Sequence, residues 1–284
     1  MALRACQKVG SLARGVVIAF ALAASIVGCA TPSERFDVRA RALGFERVDI
    51  DAGSYRIALF RSALAPARAG PSAPSATLHV YLEGDGTPFV RGVEAAADPT
   101  PRRPFALELA ARDRSAAVLI GRPCYHGHAS DPGCGVAAWT SARYGEAIVA
   151  SVAAAIDAAR ADRARITLIG YSGGGVLARL VAERAADVER VITVAANLDV
   201  AAWSREHGYQ PLDASLDPAT RAPLANGVEI DLVGARDANV PPATLDAYAA
   251  QNPNARIVRF ADYDHRCCWI DAWPRLLEQF AEPP

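Results

Sequence analysis

The sequence predicts an α/β fold: a mostly parallel central sheet flanked by helices, with an N-terminal antiparallel hairpin and a small cap. Three observations carry this. Continuously apolar runs of strand length recur along the chain. Amphipathic segments of helix length separate them. The 284 residues, 51% hydrophobic, supply a core for one large domain, which excludes disorder as the main state.

Charge narrows the function. The formal net charge is -1, and no basic patch with interleaved aromatics stands out, so no nucleic-acid partner is expected. Among the 30 basic residues only Lys8 is a lysine. Lys8 lies in a segment expected to be removed, which excludes Schiff-base chemistry, Ser-Lys dyads and a Walker lysine in the mature chain.

Residues 1–28 read as an export signal. Arg4, Lys8 and Arg14 precede the apolar stretch Gly15 to Val27, too short to span a bilayer comfortably. Ser25-Ile26-Val27-Gly28-Cys29 resembles the bacterial lipobox, which implies that Cys29 is diacylated and becomes the mature N-terminus. Ala30 follows, where an aspartate would favour inner-membrane retention. The expected location is the bacterial cell envelope, anchored by lipid in the outer membrane and facing the periplasm. In that oxidising setting cysteines pair. Cys124 and Cys134 flank one loop and form the expected bridge, while the pairing of the adjacent Cys267 and Cys268 stays open. A zinc site is a weak alternative, since no CxxC spacing accompanies His126, His128 and Cys124.

Residues 29–45 read as a tether and 46–284 as the folded domain. Arg47-Ile50 and Tyr55-Arg61 alternate around Ala52-Gly53-Ser54, predicting the hairpin. Ala65 to Ala76, rich in Ala, Pro, Ser and Gly, reads as a flexible connection. The remaining strands are Thr77-Leu82, Ala116-Ile120, Ile166-Ile169, Val191-Ala195, Val228-Val233 and Ile257-Phe260. The helices are Pro104-Arg112, Ala142-Ala161, Gly174-Arg184, Pro242-Gln251 and Ile270-Phe280. The stretch 197–227 is too long and polar for a simple connection and reads as the cap.

The most informative stretch runs from Arg165 to Leu180: a strand, then Gly170-Tyr171-Ser172-Gly173-Gly174, then a helix. This is a G-x-S-x-G nucleophile turn. A serine on so tight a turn needs neighbours without bulk two residues to either side. The helix behind it aims free N–H groups and its positive end at a developing oxyanion.

With these flanks the chain resembles the α/β-hydrolase family from about residue 45 to 280. The family order is nucleophile, acid, histidine, which implies Ser172 as nucleophile. His79, His126 and His128 precede it, and His207 comes before the next recognisable strand. His265, on the loop after the last strand, matches the family's base. Asp237, on the loop after Val228-Val233 and before a proline-started helix, matches the acid. Asp199 is the alternative acid, or else a cap for the segment that follows. Asp262 and Asp264 read as solvated. The oxyanion hole implied by the resemblance pairs the Gly173 N–H with that of Asp85, or of Gly86, in Glu83-Gly84-Asp85-Gly86. An acidic side chain there is unfavourable unless it points away or is hydrogen-bonded.

The Arg122-Pro-Cys124-Tyr-His-Gly-His128 turn, with Trp139 and Trp203, either shapes an acyl site or is a disulfide-stapled surface loop with structural tryptophans. The reading is a serine hydrolase acting on a small-molecule acyl substrate, an ester first, without metal or cofactor. Amide or peptide cleavage, acyl transfer and a catalytically silent binding module stay open. Oligomeric state and acyl length are not encoded legibly.

Overall fold

The computed structural model describes residues 30–64, 77–160 and 165–281. The export signal, Cys29 and the connection over residues 65–76 lie outside these. One compact unit spans Pro32–Pro284.

The expected tether holds a helix instead, α1 (Pro32–Ala42). Pro32 opens it, Glu34 sits in its first turn and Arg39 and Arg41 in its last, each suited to the helix dipole. Its apolar content is little more than Phe36 and Ala40, four residues apart and both buried against the sheet. So thin an apolar stripe is easily read as a linker. Gly44, with φ +81°, ends the segment and turns the chain into the hairpin.

β1 (Phe45–Ala52) and β2 (Tyr55–Ser62) form that hairpin. After them come β3 (Leu78–Leu82), the short pair β4 (Phe89–Val90) and β5 (Glu94–Ala95), α2 (Phe105–Ala110), β6 (Ala117–Ile120), α3 (Glu146–Arg160), β7 (Ile166–Tyr171), α4 (Gly173–Val181), β8 (Val188–Val194), α5 (Val200–Glu206), β9 (Val228–Gly234), α6 (Asp246–Gln251), β10 (Arg256–Phe260) and α7 (Trp269–Phe280). The main sheet has the order β1-β2-β6-β3-β7-β8-β9-β10. β2 runs against both its neighbours, and from β6 onward the pairing is parallel.

Alternation along the strands divides the core between the two faces. Leu78, Val80 and Leu82 point with Val118 and Ile120 toward α3 and α4. Tyr81 and Leu119 point the other way, toward α1, α2 and α7. On α7 the residues Trp269, Trp273, Leu276, Leu277 and Phe280 recur at helical spacing, and all are buried.

The helix expected from Ala142 begins four residues later. Gly145 is the boundary: a Cβ there would lie 2.9 Å from the Ala214 carbonyl and 3.0 Å from that of Ala142. Ser141 to Tyr144 are therefore turn rather than helix, which frees Arg143 and Tyr144 for the site. The segment 197–227 carries α5 and a 3-10 turn, Pro218–Thr220.

Candidate active site

Ser172 stands between the end of β7 and the start of α4 with φ +53° and ψ -126°, a region that non-glycine residues rarely occupy. The surrounding glycines make the turn sterically possible. A Cβ on Gly170 would meet the Gly174 carbonyl at 2.3 Å, and one on Gly174 would meet that of Leu82 at 2.1 Å. The helix starting at Gly173 and the carboxyl end of β3 thus approach to backbone contact, placing the Ser172 turn against the Glu83–Gly86 loop.

The β9 and β10 ends are stitched together by two main-chain bonds: the Ala235 N–H donates to the Phe260 carbonyl (2.9 Å) and the Arg236 N–H to that of Tyr263 (2.9 Å). Gly234 permits this, since a Cβ there would sit 2.6 Å from the Tyr263 carbonyl. As a result Asp237, on the first loop, lies against His265 on the second. Asp237 Oδ2 is 2.8 Å from His265 Nδ1, and Asp237 Oδ1 accepts the N–H groups of Asn239 (2.8 Å) and Val240 (2.7 Å). Asp237 is 3% exposed, so these bonds form out of water, where they fix the imidazole most firmly. On the histidine side, Asp264 Oδ1 accepts from Arg266 (2.7 Å) and Cys267 (2.6 Å), and the Trp269 indole donates to the Asp264 carbonyl (2.9 Å).

The other acidic residues have separate work. Asp199 caps α5 by accepting the Ala202 N–H at 2.7 Å. Asp262 pairs with Arg236, and Asp264 holds the turn around His265. Among the remaining histidines, His79 bonds Asp113 (2.6 Å) and His128 bonds Asp131 (2.8 Å). His207 Nε2 lies 2.7 Å from the Asn239 carbonyl. His126 is buried beside Phe36 and Phe60, and desolvation pulls its pKa down to about 3.

Asp85 sits where the sequence reading places an oxyanion loop, but its carboxylate is clamped. Arg143 reaches Oδ2 at 3.0 Å, Arg122 reaches Oδ1 at 3.1 Å, and the Tyr144 hydroxyl donates to both oxygens at 2.8 and 2.7 Å. Burial acts to raise its pKa, yet the Arg143 and Arg122 charges with the Tyr144 bond outweigh it and hold the acid below its ordinary value. The Tyr125 hydroxyl donates to the Asp85 carbonyl at 2.9 Å. Gly173 makes room for this clamp: a Cβ would fall 2.0 Å from Asp85 Oδ1. Gly86, with φ +69°, turns the loop where a Cβ would meet the Pro99 carbonyl at 2.2 Å. Among the described residues no protein acceptor takes the N–H groups of Asp85, Gly86 or Gly173.

Arg122 is 2% exposed and acts from behind the pocket wall through Asp85. The Cys124–Cys134 bridge is present, and Cys124 belongs to the core rather than to a surface loop. With Cys124 in that bridge, its sulfur is not a thiolate ligand for zinc. Cys267 and Cys268 are bonded to each other. Trp139 packs in the core, while Trp203 faces the pocket.

Ser172, His265, Asp85 and Gly86 line one cavity of about 1150 Å³, roofed by Trp203, Ser204 and Gly208–Leu212 from the cap segment. Asn239 also lines it, with its side-chain amide nitrogen 3.0 Å from His265 Nε2. Asn239, Arg143 and Tyr144 escape sequence reasoning. Asn239 lies inside the acid turn Asp237-Ala-Asn-Val-Pro241, where it reads as loop, and the other two reach Asp85 across 58 and 59 residues.

The structure has the α/β-hydrolase fold, as comparison with solved structures shows. A puromycin hydrolase aligns with a TM-score of 0.60 at 18% identity over 82% of this chain. The chain spans 38% of that protein's length. An esterase from Pyrococcus furiosus aligns with a TM-score of 0.57 at 12% identity, covering 90% of this chain and 97% of the esterase. A proline iminopeptidase from Mycobacterium smegmatis aligns with a TM-score of 0.55 at 13% identity, covering 82% of this chain and 98% of that one. No family model and no curated protein sequence matches the chain.

Proposed function

We propose that the protein is a serine hydrolase that cleaves acyl esters through a covalent acyl-enzyme. One relationship carries the reading: Ser172, on its strained turn, shares a cavity with His265, whose Nδ1 is held 2.8 Å from the buried Asp237. The fold, shared with an esterase and a peptidase, supports hydrolysis of an acyl bond.

In this reaction Ser172 Oγ attacks the acyl carbon while His265 Nε2 takes the hydroxyl proton. Asp237 keeps the other ring proton on Nδ1 and stabilises the imidazolium. The Gly173 N–H, with that of Asp85 or Gly86, receives the negative charge forming on the carbonyl oxygen. As the C–O bond to the leaving alcohol breaks, the imidazolium returns the proton to that oxygen. Water then adds to the acyl carbon with His265 as base, and collapse releases the acid and restores the serine. Asp85 does not oppose the oxyanion, because Arg122, Arg143 and Tyr144 already balance its charge.

Treatment with a fluorophosphonate, followed by intact mass and peptide mapping, tests this. One adduct on Ser172, with turnover in an ester, thioester and peptide panel led by esters, is the expected result. Folded protein without an adduct is instead a silent binding module. Anchoring of the chain through a lipidated Cys29 in a bacterial envelope is a second part of the proposal, supported by Arg4, Lys8, Arg14 and the apolar run before Cys29. Metabolic labelling with an alkynyl fatty acid should mark the wild-type chain and leave a Cys29→Ser variant unmarked.

A further inference from the structure

The charges lining the cavity do not cancel. Its two acidic side chains are both answered by the protein. Glu83 accepts the N–H groups of Ala106 and Leu107 at the start of α2, and Asp85 faces Arg122, Arg143 and Tyr144. Arg143 is occupied by that pairing. Three further guanidinium groups, those of Arg102, Arg103 and Arg266, line the same cavity, are exposed, and make no salt bridge among the described residues, although Arg266 bonds the Tyr171 hydroxyl and its charge also acts on Asp264.

Two of them stand just before α2 and the third directly follows His265. Arg103 stands two residues before Phe105, whose ring stacks on Tyr171 at 4.1 Å. Tyr171 immediately precedes Ser172, and its hydroxyl donates to the His265 carbonyl at 3.1 Å. Arg266 follows His265 and stands beside the same hydroxyl. Arg103, Tyr171, Ser172, His265 and Arg266 all line the cavity, with the buried Phe105 packed behind Tyr171. The lining contributed by the 197–227 segment, Trp203, Ser204 and Gly208 to Leu212, carries no charge. An exposed guanidinium that is not locked in a salt bridge attracts an anion into a cleft, and its planar donors suit carboxylate and phosphate alike.

We propose that the cavity takes acyl substrates bearing a carboxylate or phosphate close to the scissile carbonyl, received by Arg102, Arg103 and Arg266. This rests on the hydrolase reading above and adds a substrate class to it.

Two matched pairs of esters test it on the folded protein. 4-Nitrophenyl hemisuccinate against 4-nitrophenyl butyrate places a carboxylate on the acyl side. Butyrylglycerol phosphate against monobutyrin places a phosphate on the alcohol side. In at least one pair the wild-type kcat/KM should favour the anion about fivefold or more, as expected for a few partly screened charge pairs. The preference should shrink in about 1 M salt relative to about 0.01 M, as the screening length falls from about 30 Å to about 3 Å. In Arg102→Ala/Arg103→Ala and in Arg266→Gln, each checked for folding by thermal melting, the ratio of anionic to neutral turnover should fall toward one. The pair that responds identifies which anion is read. Ratios near one in wild-type protein, or ratios that survive both variants, overturn the inference and leave ester hydrolysis standing. No turnover of any ester overturns the ester-hydrolase reading itself, and this inference with it.

Discussion

The side-chain amide of Asn239 donates to Nε2 of His265 over 3.0 Å, occupying the ring nitrogen that a serine nucleophile must engage. The main chain of Asn239 is held independently of that amide. Its N–H donates to Asp237 Oδ1, and its carbonyl accepts from the Trp203 indole (2.7 Å) in the roof. Asn239 therefore links Trp203, Asp237 and His265, and in the proposed mechanism its side chain competes with Ser172 for His265 Nε2. Asn239→Ala keeps both main-chain ties and removes the competitor. Its Ser172 should react with a fluorophosphonate about fivefold faster, the effect of releasing one net hydrogen bond of about 1 kcal/mol. A loss of reactivity would show that the amide supports the base instead.

The choice of acid is testable by a pair of conservative substitutions. Asp237→Asn leaves the shape of the loop but takes away the carboxylate that fixes the His265 tautomer, so kcat should fall by about 10⁴-fold. Asp199→Asn replaces one good helix cap by another, because Asn also accepts the Ala202 N–H, and should leave turnover within a few-fold of wild type. Steady-state kinetics on one activated ester compares the two directly. The reverse ranking would move the acid to Asp199.

What the sequence makes legible here is what the backbone demands locally. Gly170, Ser172 and Gly174 stand within five residues because a single turn requires all three, and the turn therefore leaves a readable trace. The same holds for the apolar strands, whose burial on both faces shows as continuous Val, Ile and Leu. The order of Asp237 and His265 follows from a resemblance to a family rather than from local physics, and the structure supplies the contact between them. The clamp on Asp85 is different in kind. Arg143 and Tyr144 reach it across 58 and 59 residues of chain, and nothing in their own neighbourhood requires an arginine or a tyrosine. α1 was hidden for the opposite reason: its polar face outweighs Phe36 and Ala40, the pair that docks it.

The Cys124–Cys134 bridge closes a short loop, with a sequence separation of 10. Closing a loop of that length stabilises a fold by about 3 kcal/mol in the chain-entropy account. Cys124→Ser/Cys134→Ser should therefore melt roughly 6–12 °C below wild type. The same loop carries Tyr125, whose hydroxyl holds the Asp85 carbonyl, so reactivity of Ser172 should drop as well. Thermal melting with and without reductant, beside a non-reduced peptide map, measures both. An unchanged melting temperature in reductant, with free thiols confirmed at both positions, would remove the bridge from the stability of the domain.

Glu83, just past the end of β3, gives the stability a defined dependence on pH. Desolvation raises its carboxyl from 4.5 to about 7, although N–H bonds from Ala106, Leu107 and Gly84 act to lower it. Between those two values the folded chain holds a proton that the unfolded chain has released. Stability from this group is thus full below about pH 4.5 and declines as pH rises toward 7, by about 3 kcal/mol in all for a fully buried carboxyl. Glu83→Gln resembles the protonated side chain and cannot titrate. Whatever its offset at acidic pH, the stability of the variant relative to wild type should improve by about 3 kcal/mol from about pH 4 to about pH 8. Urea denaturation at intervals across that range reads the difference. Parallel stability curves would mean that Glu83 keeps an ordinary carboxylate pKa in the folded protein and that the α2 N–H groups fully compensate its burial.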